Sequence, residues 1–204
     1  QKKIKKDDNT KDIHSTRKSL NFSYLKIIAM LENLLNLVKQ QAGSSIVNNP
    51  AIPNEKNDEA VALAGQSITG SLQQLLSQGG IKDVLSMFSG NQEVNSSNPA
   101  VQQVSGNLAQ NLMDKLGLDQ QQAGSVAGGL VPDVLKNLVN KTNDPNDSSF
   151  DIQGIFNSLS GGGTSGMNVQ GLLNKFKGGL DQDGDGDVDL QDLTAAFSGK
   201  GGGG

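Results

Sequence analysis

Six aspartates fall within twelve residues near the carboxyl end of the chain, with no Lys or Arg among them: Asp181, Asp183, Asp185, Asp187, Asp189 and Asp192. Two carboxylates roughly 5 Å apart near a protein surface repel each other by on the order of a few kcal/mol. A folded loop of this composition therefore needs a bound cation. Carboxylate oxygens are hard ligands, which favour Ca²⁺, with Mg²⁺ as the other candidate, over softer metals.

The first half of this stretch has the spacing with which one loop wraps one ion. Asp181, Asp183 and Asp185 occupy loop positions 1, 3 and 5, so all three side chains can turn inward. Gly186 follows at position 6, where the chain must bend sharply. The DxDxDG pattern is therefore complete.

The second half supplies the remaining ligands. Asp187 at position 7 would offer its backbone carbonyl, and Asp189 at position 9 would bind directly or through water. Val188 at position 8 is aliphatic and would tuck into the core beside the site. Asp192 at position 12 would close the coordination shell from the start of the following helix.

Apolar side chains at helical spacing flank the acidic stretch on both sides. They are Leu172, Leu173, Phe176 and Leu180 before it, and Leu193, Ala196 and Phe197 after it. Residues 168–199 thus resemble an EF-hand, and the resemblance implies a helix–loop–helix unit that binds calcium.

One position departs from the usual EF-hand pattern. The loop ends in Asp192 rather than Glu, and the shorter side chain reaches less far toward the ion. In this respect the loop is similar to bacterial dockerin-type loops, and the substitution puts tight calcium affinity and discrimination against Mg²⁺ in question. Dockerins carry two such loops, whereas the sequence predicts one here. The site would be either braced by the rest of the chain or paired between two chains.

Other chemistry is poorly supplied. The 204-residue chain has no Cys and one His, which excludes Cys nucleophiles, disulfides, thiolate zinc sites and iron–sulfur clusters. A Ser–His–Asp triad could use only His14, which lies in a charged tail. The carboxylates outside the loop resemble helix caps or solvated charges: Glu32, Asp58, Glu59, Asp83, Asp114 and Asp133. We expect a protein that is not an enzyme.

The charge is divided unevenly along the chain. Residues 1–29 carry a formal +5 and residues 30–204 a formal −9, so we expect no nucleic-acid binding by the main body. The basic segment is predicted to be a disordered tail, either solvated or in contact with nucleic acid or an anionic membrane. An alternative is that the native chain starts at Met30, the first Met, and that residues 1–29 lie upstream of it.

Residues 25–42 predict an amphipathic helix rather than a targeting or membrane segment. Its apolar face would comprise Ile27, Leu31, Leu34, Leu35 and Val38. Lys26, Glu32 and two Asn residues interrupt the run, which is too polar for a signal peptide or a bilayer span. We expect no transmembrane segment and a cytoplasmic location, with the cell envelope left open.

The apolar periodicity predicts an all-α fold. Apolar residues recur at steps of three and four, and no segment sustains period-two alternation. We predict a small helical bundle at residues 30–141, followed by a single helix–loop–helix EF-hand at residues 168–199. Residues 142–167 would be a short helix and a flexible Gly/Ser linker, and residues 200–204 a Gly tail.

Local signals mark the helix ends. Asn57 is a plausible N-cap, Asn98-Pro99 marks a helix start, and Asp119 can cap the next helix. Pro132 is predicted to begin a helix of its own or to kink one. The polar segment TNDPNDSS at 142–149 predicts a domain boundary.

Two weaker similarities concern the helical parts. The segment LGLDQQQAGSVAGGLVPDVLKNLV at 116–139 is similar to a YidB-like family of bacterial all-helical domains of unknown function, and residues 30–141 would be its counterpart. Internally, GIFNSLSGGG at 154–163 resembles GLLNKFKGGL at 171–180. Either an old duplication or chance similarity in Gly-rich sequence would account for it.

The sequence thus predicts a calcium-binding protein, non-enzymatic, with a regulatory or structural role. The alternative is a helical module that binds a protein partner or self-associates, in which the ion is only a structural staple.

Overall fold

The computed structural model describes Leu25 and residues 28–164 and 166–177. These residues are all-α, with no strand among them, which confirms the predicted fold class. Helix α1 covers residues 28–42, and the helices after it are α2 Asn57–Ser77, α3 Ile81–Ser89, α4 Pro99–Leu116, α5 Gln120–Asn143, α6 Ile152–Leu159 and α7 Val169–Lys177. A π-helical turn at Gly43–Val47 and a 3₁₀ turn at Asn54–Lys56 join α1 to α2.

Helices α4 and α5 begin where local sequence signals predict. The Asn98 side chain accepts hydrogen bonds from the Ala100 and Val101 N–H groups, with Pro99 at the first helical position. Asp119 accepts from the Gln122 N–H, and Gln122 returns a bond to the Asp119 N–H, so α5 opens with a capping box. Both predicted caps are confirmed. The sequence could predict them because each cap depends only on residues near the start of its helix.

The start of α2 differs from the prediction. Residues 54–56 already form a 3₁₀ turn, so Asn57 has helical backbone angles and its side chain caps nothing. Its Oδ1 is buried without a hydrogen-bond partner. The turn that precedes the helix thus takes the place of a side-chain cap.

The prediction that Pro132 begins a helix of its own is wrong, because α5 continues through Pro132 as one helix of 24 residues. Proline removes one backbone hydrogen bond and crowds the preceding turn. The apolar stripe nevertheless runs unbroken past it through Leu130, Val134, Leu135 and Leu138, all at most 1% exposed. Burial of that stripe holds the helix together across the proline.

The buried apolar side chains of all seven helices in the described part form one contiguous core. Helix α4 packs against α2 and α5, while α3 and α6 both contact α7. The rings of Phe88 in α3 and Phe156 in α6 meet edge to face, with centroids 6.5 Å apart. None of the helices described combines the length and apolarity that crossing a membrane requires.

The polar segment between α5 and α6 is tied to the bundle. Asn143 Nδ2 donates to the Phe88 carbonyl at 2.9 Å, and Asn33 Nδ2 of α1 donates to the Ser149 carbonyl at 2.9 Å. Lys141 Nζ lies 2.7 Å from Asp147 Oδ2. This hydrogen bond from Lys141, with those from Ser149, lowers the pKa of Asp147 to about 2.

The Gly-rich segment after α6 forms a hydrogen-bonded turn where composition predicts a flexible linker. The Gly162 N–H donates to the Asn157 carbonyl at 2.7 Å, and Thr164 Oγ1 donates to Asn157 Oδ1 at 2.7 Å. Gly161 and Gly162 take positive φ angles of 61° and 90°, which glycine adopts readily. Asn157 and the glycines together fold this segment back onto α6.

Candidate functional site

The six aspartates of the predicted ion site all lie outside the described residues, as do Gly186 and Val188. So do Leu180 and the residues predicted to follow the loop, Leu193, Ala196 and Phe197. Of the basic segment at residues 1–29, residues 1–24, with His14, and residues 26 and 27 also lie outside them, as does the Gly tail at 200–204. The structure does describe α7, the helix that leads into the acidic stretch.

Helix α7 begins at a side-chain cap. The Gly171 N–H donates to Asn168 Oδ1 at 2.8 Å, and the Leu172 N–H donates to the Asn168 carbonyl at 3.0 Å. A Cβ at position 171 would lie 2.9 Å from Asn168 Cγ, so glycine there leaves room for the cap. The Val169 N–H donates to Gln153 Oε1 at 3.0 Å, which ties the start of α7 to α6.

The apolar face of α7 is part of the bundle core. Val169, Leu172 and Leu173 are at most 3% exposed and belong to the core shared with α3 and α6. The sequence predicts Leu172 and Leu173 on an apolar face, and both are buried; it does not single out Val169. That face thus packs on helices that precede the linker, a contact that spacing within residues 168–199 could not reveal.

Helices α6 and α7 are built on the same pattern, 17 positions apart. Asp151 caps α6 through the Gly154 N–H at 2.6 Å, as Asn168 caps α7 through Gly171. Each helix then buries the first, fourth and fifth of its residues: Ile152, Ile155 and Phe156 in α6, and Val169, Leu172 and Leu173 in α7. The internal similarity in sequence therefore corresponds to a shared local structure.

An apolar groove lies between α1 and α2, a feature that the sequence analysis missed. We name this α1–α2 groove by its main lining residues, which are Leu31, Leu35, Ala62, Gly65, Thr69 and Gly70; its volume is about 330 Å³. Leu31 is 39% exposed, although the sequence predicts it on the apolar face of the helix. Leu34 and Val38 of that predicted face are buried, as are Met30, Leu37 and Ala42, while Ile27 lies outside the described residues. Alternation of Leu with polar residues could not tell these two neighbouring faces apart.

A second, polar groove lies between α2 and α4. Asn107 Nδ2 donates to Ser71 Oγ at 3.0 Å, and Asn111 Nδ2 donates to Ser67 Oγ at 2.9 Å. Because both pairs repeat one turn apart on each helix, they set the register of α2 against α4. We therefore interpret these amides as part of the helix packing.

Carboxylates do not cluster in the part of the chain that is described. No group of three or more His, Asp or Glu side chains there is arranged to hold a metal ion. The six carboxylates singled out as possible acids or bases, Glu32, Asp58, Glu59, Asp83, Asp114 and Asp133, are exposed on helices. Comparison of the chain with protein-family models, curated proteins and solved structures gives no match.

Proposed function

We propose that the protein binds one calcium ion through residues 181–192, in an EF-hand with Asp at its last ligand position. The observation that carries this proposal is the spacing of the acidic residues, with Asp181, Asp183 and Asp185 followed by Gly186. Asp187 contributes its backbone carbonyl, Asp189 binds directly or through water, and Asp192 closes the shell. Calcium supplies the positive charge that these carboxylates need in order to approach one another.

The helix before the loop supports this proposal. An EF-hand needs a helix that delivers the chain to the first ligand. Helix α7 is described as far as Lys177, four residues before Asp181, and its start is held by Asn168 and Gln153. Its buried face lies on α3 and α6, so we propose that the single loop is braced by the bundle rather than by a second loop.

This arrangement links the ion to the stability of the bundle. A ligand that binds only the folded state stabilises that state, by about 2.7 kcal/mol at a free concentration of 100 times Kd. Because α7 shares its core with α3 and α6, that stabilisation would extend beyond the loop. The short Asp192 side chain weakens closure of the shell, so the site discriminates less well against Mg²⁺.

Isothermal calorimetry on the whole chain tests the site. Wild type should release or absorb heat with Ca²⁺ at one ion per chain, and more weakly with Mg²⁺. Asp181→Asn with Asp185→Asn should abolish that signal because two ligand charges are removed with little change of shape. Asp58→Asn with Asp133→Asn removes the same charge from exposed helix positions and should leave the titration unchanged. Identical heats for wild type and the loop variant would refute the proposal.

The α1–α2 groove favours a second candidate function, a helical interaction module in which the ion is only a staple. Two of the four large apolar side chains exposed in the described residues, Ile28 and Leu31, lie on α1, and a third, Leu25, lies three residues before its first residue. Chelation separates the two candidates. If a chelator leaves partner binding or self-association intact, then calcium is not the regulator and the interaction role stands.

A further inference from the structure

We infer that the α1–α2 groove is a self-association surface, on which two copies of this chain pair with their α1 helices antiparallel. This inference rests on α1 and α2 alone and does not depend on calcium binding. It assigns one partner to the helical interaction module proposed above, namely a second copy of the same chain.

The surface carries both a groove and the apolar side chains that could fill one. Ile28 and Leu31 are 36% and 39% exposed on α1, beside a groove that α2 lines with the small residues Ala62, Gly65 and Gly70 and with the uncharged polar residues Gln66, Thr69 and Gln73. Position 70 has open space where a side chain would stand. In a twofold dimer the same patch occurs on both subunits, so a projection next to a depression is self-complementary.

Small residues bring α1 and α2 close together. A Cβ at position 65 would lie 3.2 Å from Leu35 Cδ1, so the glycine allows Leu35 to settle against α2. Leu35 is consequently half-buried and forms part of the groove wall. Among the described residues that line the groove, none is charged, which suits an apolar helix as its occupant.

Charges at the two ends of this surface select the antiparallel orientation. Glu32 and Lys39 are exposed on α1, on either side of Leu35, and neither has an ion-pair partner in the described residues. A parallel pair of α1 helices would set Glu32 beside the second copy's Glu32, and Lys39 beside its Lys39. An antiparallel pair centred near Leu35 sets each Glu32 beside a Lys39, which forms two opposite-charge contacts.

Sedimentation equilibrium of the full chain over a wide concentration range tests the inference. We expect a reversible monomer–dimer equilibrium that is the same in calcium and in chelator. Leu31→Glu places a charge in the apolar surface and should weaken dimerisation by about 100-fold or more. Val47→Glu is the matched control, because Val47 is 45% exposed but lies outside the groove, and it should leave dimerisation unchanged.

Charge reversal tests the orientation without touching the packing. Glu32→Lys or Lys39→Glu alone sets like charges beside each other at both contacts and should weaken the dimer by about tenfold. The double reversal, Glu32→Lys with Lys39→Glu, should restore it. A chain that stays monomeric at every concentration, a dimer that requires calcium, or a dimer that tolerates Leu31→Glu would each overturn the inference. Failure of the double reversal to restore the dimer would overturn the antiparallel arrangement.

Discussion

Helices α6 and α7 have the same local structure, and the segments that follow them differ. Both start at an Asx cap, both have Gly at the third helical position, and both bury the same three positions in the core. A Cβ on Gly154 would lie 2.6 Å from Asp151 Oδ2, and one on Gly171 would lie 2.9 Å from Asn168 Cγ. The cap and the glycine therefore act as a pair in each helix.

The segments that follow the two helices differ in chemistry. After α6 the chain forms a turn held by its own hydrogen bonds, in which Asn157 accepts from the Gly162 N–H and from Thr164 Oγ1. Thr164 is buried in this turn, with 7% of its surface exposed. At the same distance of 17 positions, Thr164 corresponds in sequence to Asp181, the first proposed ligand. One helical unit is therefore completed by internal hydrogen bonds, whereas the other is followed by a run of aspartates, for which we propose a bound calcium ion.

The largest expected effects come from substitutions on the buried faces of α6 and α7, which belong to one core. Phe156→Ala should cost about 3–5 kcal/mol of unfolding free energy and Leu173→Ala about 2–5 kcal/mol, because each leaves a cavity in one core. Urea unfolding followed by far-ultraviolet circular dichroism measures both. Leu25→Ala, at a side chain 63% exposed, is the control and should change stability by less than about 0.5 kcal/mol. A negligible cost for Leu173→Ala would separate α7 from the core.

The second largest expected effect is that of calcium, which should act through the segment after α7 and not through the segment after α6. Ca²⁺ at 100 times Kd should raise the melting temperature by roughly 5–10 °C, since about 2.7 kcal/mol is added to a chain of this size. Asp181→Asn with Asp185→Asn should show no rise, while a Thr164→Val variant, altered in the turn after α6, should keep it. Differential scanning calorimetry provides the measurement. An equal rise in the aspartate variant would place the ion elsewhere.

The two caps should contribute equally and modestly. Asp151→Ala and Asn168→Ala should each cost about 1 kcal/mol, because each leaves an N–H group at a helix start without its acceptor. Asp151→Asn and Asn168→Asp retain an accepting oxygen and should cost much less. Chemical unfolding of the four variants gives the comparison. If only one alanine variant is destabilised, the two helices are not equivalent units.

The smallest expected effect concerns the segment that leads into α6. The pKa of Asp147 is lowered to about 2 by the hydrogen bond from Lys141 and by those from Ser149. Because this folded-state pKa lies below the ordinary value of about 4, the stabilisation is complete above pH 4 and is lost as the pH falls toward 2. Asp147→Asn should therefore lower the melting temperature at pH 7 and have less effect at pH 2. A deficit that is independent of pH would contradict this role for the ionised carboxylate.

Local chemistry accounts for what the sequence predicts well. The caps at Asn98 and Asp119 depend on a few neighbouring residues, and both are read directly from residue type. The all-α class follows from apolar periodicity over whole helices.

The structure differs from the sequence predictions where contacts between residues far apart in the chain determine the conformation. Pro132 is tolerated because the stripe of α5 is buried on both sides of it, and Leu31 is exposed because the face of α1 that enters the core is the one with Met30, Leu34 and Leu37. The turn after α6 depends on Asn157 and Thr164, which composition alone reads as a flexible linker. The ion site is predicted from spacing alone, since its ligands lie outside the described residues.

A calcium titration followed residue by residue with amide NMR tests the central claim most directly. We predict saturable changes at residues 181–192 with one ion per chain. These should extend into α7 and, through the Val169–Gln153 hydrogen bond, to α6. The Asp181→Asn with Asp185→Asn variant should show none of these changes. Amide signals at 181–192 that do not respond to Ca²⁺, or that respond equally in the variant, would contradict the account.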